Sequence, residues 1–188
     1  MLQARKVVSW DERFIAQAYL VSRASKDSST QVGCVIVSPD NVVLAQGFNG
    51  FPRDVIETEE EFKSRYWEDE NPTNPNNRAF DRWDRPQKYS WVEHAERNAV
   101  FNAARHGIAL RGARAYLNWS PHPCEACTRA FIQAGIVEII GPDLPFAGKG
   151  KGVHYDLDFA ATMCAEAGIK QREVPGYLSA EKRLVLEV

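Results

Sequence analysis

The chain is predicted to fold as a single α/β domain. Helical and strand-like segments alternate along it, which is the pattern of helices layered on a sheet. Its strand candidates are short apolar runs suited to burial. With 188 residues, 44% of them hydrophobic, it is long enough and apolar enough for one buried core. The expected organisation is one domain over residues 1–188 carrying an insertion at about 53–90.

Ser9-Trp10-Asp11-Glu12 is a capping box and opens the first helix. Trp10, Phe14, Ala18 and Val21 recur on one face, which is expected to pack on the core. Residues 32–37 read as a strand, Pro39-Asp40-Asn41 as a turn, and 42–48 as the hairpin partner. In the insertion, 57–70 is acidic and reads as helix, and 71–77 is rich in Asn and Pro and reads as loop. Phe80-Asp81-Arg82-Trp83-Asp84-Arg85 then interleaves aromatic and basic residues. Two uses are open to it: stacking on a base or contacting phosphate, and packing Tyr66, Trp67, Phe80 and Trp83 onto the domain or a neighbouring subunit. Aromatics in a long loop more often anchor it, and Asp81 and Asp84 offset the arginines. A helix follows over 93–106, stopped by Gly107. Residues 113–117 form a strand, 124–134 a helix between Pro123 and Gly135, and 137–140 a short buried strand. A helix over 157–167 and a strand over 169–174 end at Pro175-Gly176.

Two of these helix starts carry the chemistry. His94-Ala95-Glu96 opens the 93–106 helix, and Pro123-Cys124-Glu125-Ala126-Cys127 opens the helix some thirty residues later. Cys124 and Cys127, three apart, share a helix face. Free backbone N–H groups at both starts favour thiolate over thiol. One imidazole and two thiolates balance a zinc dication and leave a fourth position for water, which such a metal acidifies. Glu96 is not needed as a ligand and is the expected proton shuttle. The expected product carries a carbonyl in place of an exocyclic amine, with release of ammonia. A closed structural zinc site is the other use of this set. It requires a fourth protein ligand, for which His122 is the one local candidate. Redox pairs also use a bare Cys-x-x-Cys, but not with His94 and Glu96 at a second helix start.

The order H-x-E, then P-C-x-x-C, resembles the zinc-dependent nucleobase deaminases. Four segments sharpen the resemblance to the cytidine and deoxycytidylate deaminases, and within them to the deoxycytidylate (dCMP) group. They are Ser25-Lys26-Asp27-Ser28-Ser29-Thr30-Gln31-Val32-Gly33, Gly47-Phe48-Asn49-Gly50-Phe51-Pro52, His94 to Ala99, and Pro123 to Ile136, together covering roughly residues 9–173. The resemblance implies a three-layer α/β/α fold with a mixed five-stranded sheet, and hydrolytic deamination of dCMP to dUMP. It implies one zinc ion per chain held by His94, Cys124 and Cys127, with Glu96 as proton donor. Asn49 matches the residue that contacts the sugar, Ser25 and Lys26 lie where the family approaches the nucleotide, and Ala95 and Arg53 complete the expected substrate contacts. The turn Gly47-Phe48-Asn49-Gly50 matches a segment that binds dCTP or dTTP effectors at a subunit interface, so a homo-oligomer is expected.

Some features depart from the family. Asn118-Trp119-Ser120-Pro121-His122 is about two residues longer than usual, in a loop expected to border the base pocket. A modified cytosine or a purine nucleoside monophosphate therefore stays open as the alternative substrate. Residues 53–89 contain neither Cys nor His, so no second zinc is expected there. Arg97 stands where aliphatic residues are common.

Composition narrows the partners. Net charge is −2, from 23 basic and 25 acidic residues, and no basic block of five or more appears. Free nucleotide is favoured over nucleic acid. No apolar signal segment and no membrane-length apolar run is visible, so a cytoplasmic protein with no membrane partner is expected. Cys34 and Cys164 lie in apolar segments and read as reduced core residues. Phosphate donors are sought among Lys26, Arg53, Arg105 and the loop Gly148-Lys149-Gly150-Lys151-Gly152. That loop reads by default as surface. Its other use is to close over the site, bringing His154 and Tyr155 near the base.

Overall fold

The computed structural model describes residues 7–66, 82–143 and 155–175. The chain divides into two compact units, residues 1–49 with 94–188, and residues 50–93. The Gly148–Gly152 loop, His154, residues 71–77, Trp67, Phe80 and Asp81 lie outside the described residues.

The first unit is built on a five-stranded sheet in the order β2-β1-β3-β4-β5. Its strands are β1 (Gly33–Val37), β2 (Val43–Phe48), β3 (Arg114–Leu117), β4 (Glu138–Pro142) and β5 (Lys170–Val174). β1 runs antiparallel to both β2 and β3, while β3, β4 and β5 run parallel. The sheet is therefore mixed. Every residue of β1 is buried, because helices cover both faces of this strand. Side-chain alternation sorts its residues between two cores. Cys34 and Ile36 join Ala95, Ala99, Ala103, Phe131 and Cys164 on one face. Val35 and Val37 join Phe14, Ile15, Ala18, Tyr116 and Ile140 on the other. The first face belongs to α4 (Ala95–Arg105), α5 (Glu125–Ala134) and α6 (Leu157–Glu166), the second to α1 (Trp10–Ser22). This is the three-layer α/β/α arrangement.

The capping box at α1 forms as expected, Ser9 and Glu12 each accepting the other's backbone N–H. The buried stripe of α1 is Phe14, Ile15 and Ala18, however, not one that begins at Trp10, which is 48% exposed. As the first helical residue Trp10 sits at the rim, stacked on Phe14 with 5.5 Å between ring centroids and with the Arg13 guanidinium over its face. Asp11, beside it, ties α1 to the far strand. Arg172 Nη1 donates to Asp11 Oδ2 at 2.6 Å, Arg172 Nε donates to Glu138 Oε1 at 2.9 Å, and the Tyr116 hydroxyl donates to Asp11 Oδ1 at 3.0 Å. Burial and the neighbouring Asp11 push the Tyr116 phenol up to about 12.

The second unit holds α2 (Glu59–Tyr66) and a short helix, α3 (Lys88–Trp91), that the sequence pattern did not mark. Its two ends are paired, with Gly50 and Glu93 exchanging backbone hydrogen bonds of 3.1 and 2.8 Å. The aromatic and basic residues of the insertion motif are taken up inside this unit. Trp83 stacks on Phe51 at 4.5 Å and donates its indole N–H to the Glu57 carbonyl. Arg82 lies 4.2 Å from the Trp91 ring centroid and donates to the Ile56 carbonyl. Of the two uses open to the motif, these described residues serve the packing one, within the insertion itself.

Candidate metal centre

His94 and Cys124 are the N-cap residues of α4 and α5, both in extended conformation, and neither side chain caps its own helix. Most N-cap side chains turn back onto the first-turn N–H groups. Here they project forward to a common point. His94 Nδ1 lies 3.4 Å from Cys124 Sγ and 3.4 Å from Cys127 Sγ. The three donor atoms all fall within 4.8 Å of one another. Among the described residues this is the group placed to hold a metal ion. The spacing of three between the cysteines works because Cys124 sits just outside the helix and Cys127 in its first turn, so both thiols reach the same side.

The charges of the site point the same way. The Cys124 thiol is held down to about 4, first by a hydrogen bond from Cys127, against burial, and then by His94. Cys127 is pushed well above the usual thiol range by that same bond and by burial. A divalent cation binds the thiolate form of both sulfurs, so binding here would release protons. Burial lowers the His94 imidazole, but the bond to Cys124 and the charge of Glu96 outweigh it and the net shift is upward. One imidazole and two cysteine sulfurs form a borderline-soft donor set suited to zinc.

His122, the candidate for a fourth protein ligand, is elsewhere. Its Nε2 faces Glu173 Oε1 of β5 at 3.3 Å. The described residues therefore provide three ligands, the number of an open site. Glu96 sits beside them, 7% exposed in the first turn of α4. Burial raises its carboxyl pKa, partly offset by His94. A buried carboxyl whose acidity is weakened in this way is suited to accept and return a proton.

A profile described as the cytidine and deoxycytidylate deaminase zinc-binding region matches residues 8–141. The chain belongs to that family. A probable deoxycytidylate deaminase of Drosophila melanogaster is 34% identical over 145 residues, 77% of this chain and 64% of the relative. The deoxycytidylate deaminase of Homo sapiens is 32% identical over 133 residues, 71% of this chain and 64% of the relative. The chain thus spans 64% of the length of these two curated relatives. A crystal structure of dCMP deaminase from the cyanophage S-TIM5 with dCMP and dUMP superposes with a TM-score of 0.57 at 21% identity, covering 87% of this chain and 95% of that one. That likeness establishes the deaminase-family fold.

The remaining expected contacts of this deaminase-family chain are distributed unevenly. Ala95, the first residue of α4, is fully buried. Asn49 and Ser25 are buried too, and their side chains are engaged within the fold. Asn49 Oδ1 accepts from the Val32 N–H at 2.8 Å, and its Nδ2 donates to Asp27 Oδ2 and to the Thr30 carbonyl. The Ser25 hydroxyl donates to the Asn49 carbonyl at 2.6 Å. Asp27 Oδ1 accepts from the Ser29 and Thr30 backbone and from the Ser29 hydroxyl. Together these bonds brace the 25–32 loop, on which Lys26 is exposed. Arg53 is exposed in the second unit, and Gly50 begins that unit. Gly47 and Phe48 are strand, not turn, because β2 runs to Phe48. Arg105 ends α4, exposed.

The 118–122 loop is packed down. Asn118 Oδ1 accepts from the Gly33 N–H at 2.8 Å, and the Pro121 carbonyl accepts from Gln171 Nε2 at 3.0 Å. Ser120 is 3% exposed. The loop crosses β4 at Gly141, where any Cβ would stand 2.2 Å from the Trp119 carbonyl oxygen. Two contacts escaped the sequence reading. Tyr155, expected near the base, places its hydroxyl 3.0 Å from His94 Nε2. Glu125, the first residue of α5, accepts the Asp156 N–H at 2.5 Å. No local pattern marks either contact, although Asp156 is readable as a helix cap.

Proposed function

We propose that the protein deaminates deoxycytidine monophosphate hydrolytically, giving dUMP and ammonia. The observation that carries this is the convergence of His94, Cys124 and Cys127 within 4.8 Å, with the buried carboxyl of Glu96 beside them. Membership of the family and the deoxycytidylate deaminase relatives support the substrate class.

His94, Cys124 and Cys127 would hold zinc, which when bound would supply Lewis acidity and acidify a water toward neutral pH. Glu96 takes the proton of the attacking water and delivers it to N3 of the ring while the C4–O bond forms. It then carries the hydroxyl proton of that adduct to the exocyclic amine, and the C4–N bond breaks. A carbonyl remains and ammonia leaves, so protons and electrons balance without an outside reactant. The carboxyl is suited to both transfers because burial weakens its acidity. Lys26, on the loop braced by Asp27 and Asn49, is the candidate phosphate contact of the first unit. Asn49 and Ser25 then act mainly by bracing that loop.

Zinc-loaded protein incubated with dCMP, cytidine, dCTP, 5-substituted dCMP and purine monophosphates tests the reading. Ammonia released fastest from dCMP is the expected result. Preference for a purine monophosphate would move the assignment to the alternative substrate, for which the lengthened 118–122 loop is the motive. Adding dCTP and dTTP to the same assay tests effector binding around Gly47–Gly50, where Gly47 already has a packing reason to lack a side chain. Sedimentation of the same sample tests the expected homo-oligomer. Among the described residues no helix is long and apolar enough to cross a membrane, and a cytoplasmic location is part of this proposal.

A further inference from the structure

We propose that Tyr155 is a positioning residue of the metal centre: its hydroxyl accepts the His94 Nε2–H and so selects the tautomer that leaves Nδ1 free to bind zinc. The inference rests on the zinc reading above and adds to it a residue outside the motif. His94 has two ring nitrogens with different neighbours. Nδ1 faces the two sulfurs at 3.4 Å each, and Nε2 faces the Tyr155 hydroxyl at 3.0 Å. A metal on Nδ1 requires the proton on Nε2, and that proton then points at the phenol oxygen. The rings meet edge to face, 5.5 Å between centroids at 81°, which fixes the plane of the imidazole as well as its tautomer.

Tyr155 is itself anchored to the other half of the site. Asp156 caps α6 by accepting the Phe159 N–H at 2.9 Å, and its own N–H donates to Glu125 Oε1 at 2.5 Å. Glu125 lies between Cys124 and Cys127. The path Glu125–Asp156–Tyr155–His94 therefore links the cysteine helix to the histidine across the ligand set. Metal-binding histidines usually have their second nitrogen held by a carboxylate or a carbonyl. A neutral phenol oxygen does the same orienting without adding charge to a centre that already holds two sulfurs and Glu96.

The test compares wild type with Tyr155→Phe. Two readouts are needed: zinc affinity, by competition with a chromogenic chelator, and the 15N–1H signal of His94 Nε2 in zinc-loaded protein. The expected result is one zinc per wild-type chain, a loss of affinity of about 10- to 100-fold in Tyr155→Phe, and loss of the protected Nε2 proton signal to solvent exchange. Unchanged affinity together with an unchanged signal overturns the proposal. A wild type that binds no zinc sinks the underlying metal reading instead, so the two failures are told apart. If Tyr155→Phe lacks native circular dichroism, Glu125→Ala decides, since it releases Asp156 without touching the imidazole. Weakened zinc binding and a weakened Nε2 signal are then expected, and wild-type values for both overturn the proposal.

Discussion

Gly47 of β2 lies directly against Ala99 of α4: a Cβ on Gly47 would stand 2.4 Å from the Ala99 amide nitrogen and 2.5 Å from the Ala95 carbonyl oxygen. The helix that begins with His94 thus rests on strand backbone, with no side chain between. Asn98 and Asn102, one turn apart on α4, reinforce the contact by donating to the Phe48 and Gln46 carbonyls at 2.8 and 2.7 Å. These carbonyls lie on the open edge of the sheet, so the asparagines also cover groups that would otherwise invite another strand.

Gly47→Ala is therefore expected to push α4 off the sheet. Overpacking of this kind costs roughly 1–3 kcal/mol. Denaturant unfolding should show the loss, and zinc affinity should fall with it because His94 moves with α4. Wild-type stability in the variant would show that the helix gives way freely.

Glu96→Gln should retain zinc and lose turnover. General acid–base catalysis contributes about 10²- to 10⁴-fold, so kcat should drop by that order while metal analysis stays at the wild-type value. Comparable activity in the variant would assign the proton transfers to another group.

Removing the metal should destabilise the fold as well as stop turnover. A ligand present at about 1,000 times its Kd adds about 4 kcal/mol to the folded state. Chelator treatment should lower Tm and zinc should restore it, and Cys127→Ser should reproduce the apo Tm with no response to zinc. A Tm indifferent to chelator would argue against a tightly held ion.

Asn49→Ala separates two roles. The buried side chain makes three hydrogen bonds to the 25–32 loop. Leaving buried groups unsatisfied costs about 1–3 kcal/mol, so Tm is expected to fall and KM for dCMP to rise together. A raised KM at unchanged Tm would instead restore the direct sugar contact as its main task.

Stability should decline in acid through Asp11. The Arg172 hydrogen bond, against burial and aided by Tyr116, holds its carboxyl below the ordinary range. A lowered folded-state pKa contributes stability that is present above the unfolded value, roughly 3.9, and is lost as pH falls through the folded value. Unfolding free energies followed from neutral pH to about pH 2 should fall less steeply in Asp11→Asn than in wild type. Parallel slopes would remove the pair from the account.

Most elements of the first unit were readable because their signals are local. The Ser9–Glu12 box, the Gly107 and Gly135 stops and the apolar run of β1 each declare themselves within a few residues. Errors fell where burial depends on distant partners. Trp10 carries the right period but sits at the rim of α1, and α3 is a single turn set by the closure of its own unit. That Asn49 and Ser25 also brace the loop beside them was not legible, because their hydrogen bonds join residues 17 to 24 positions apart.

The metal donors, the carboxylate beside them and the helix starts that bear them could be named from the chain alone, since three-residue spacing and N-caps are short-range properties. Which nitrogen of His94 meets the sulfurs, that Tyr155 holds the other, and that Gly47 lets α4 lie on β2 could not. Those facts join residues between thirty and sixty-one positions apart. They exist only once the sheet order β2-β1-β3-β4-β5 brings the helix starts to one place.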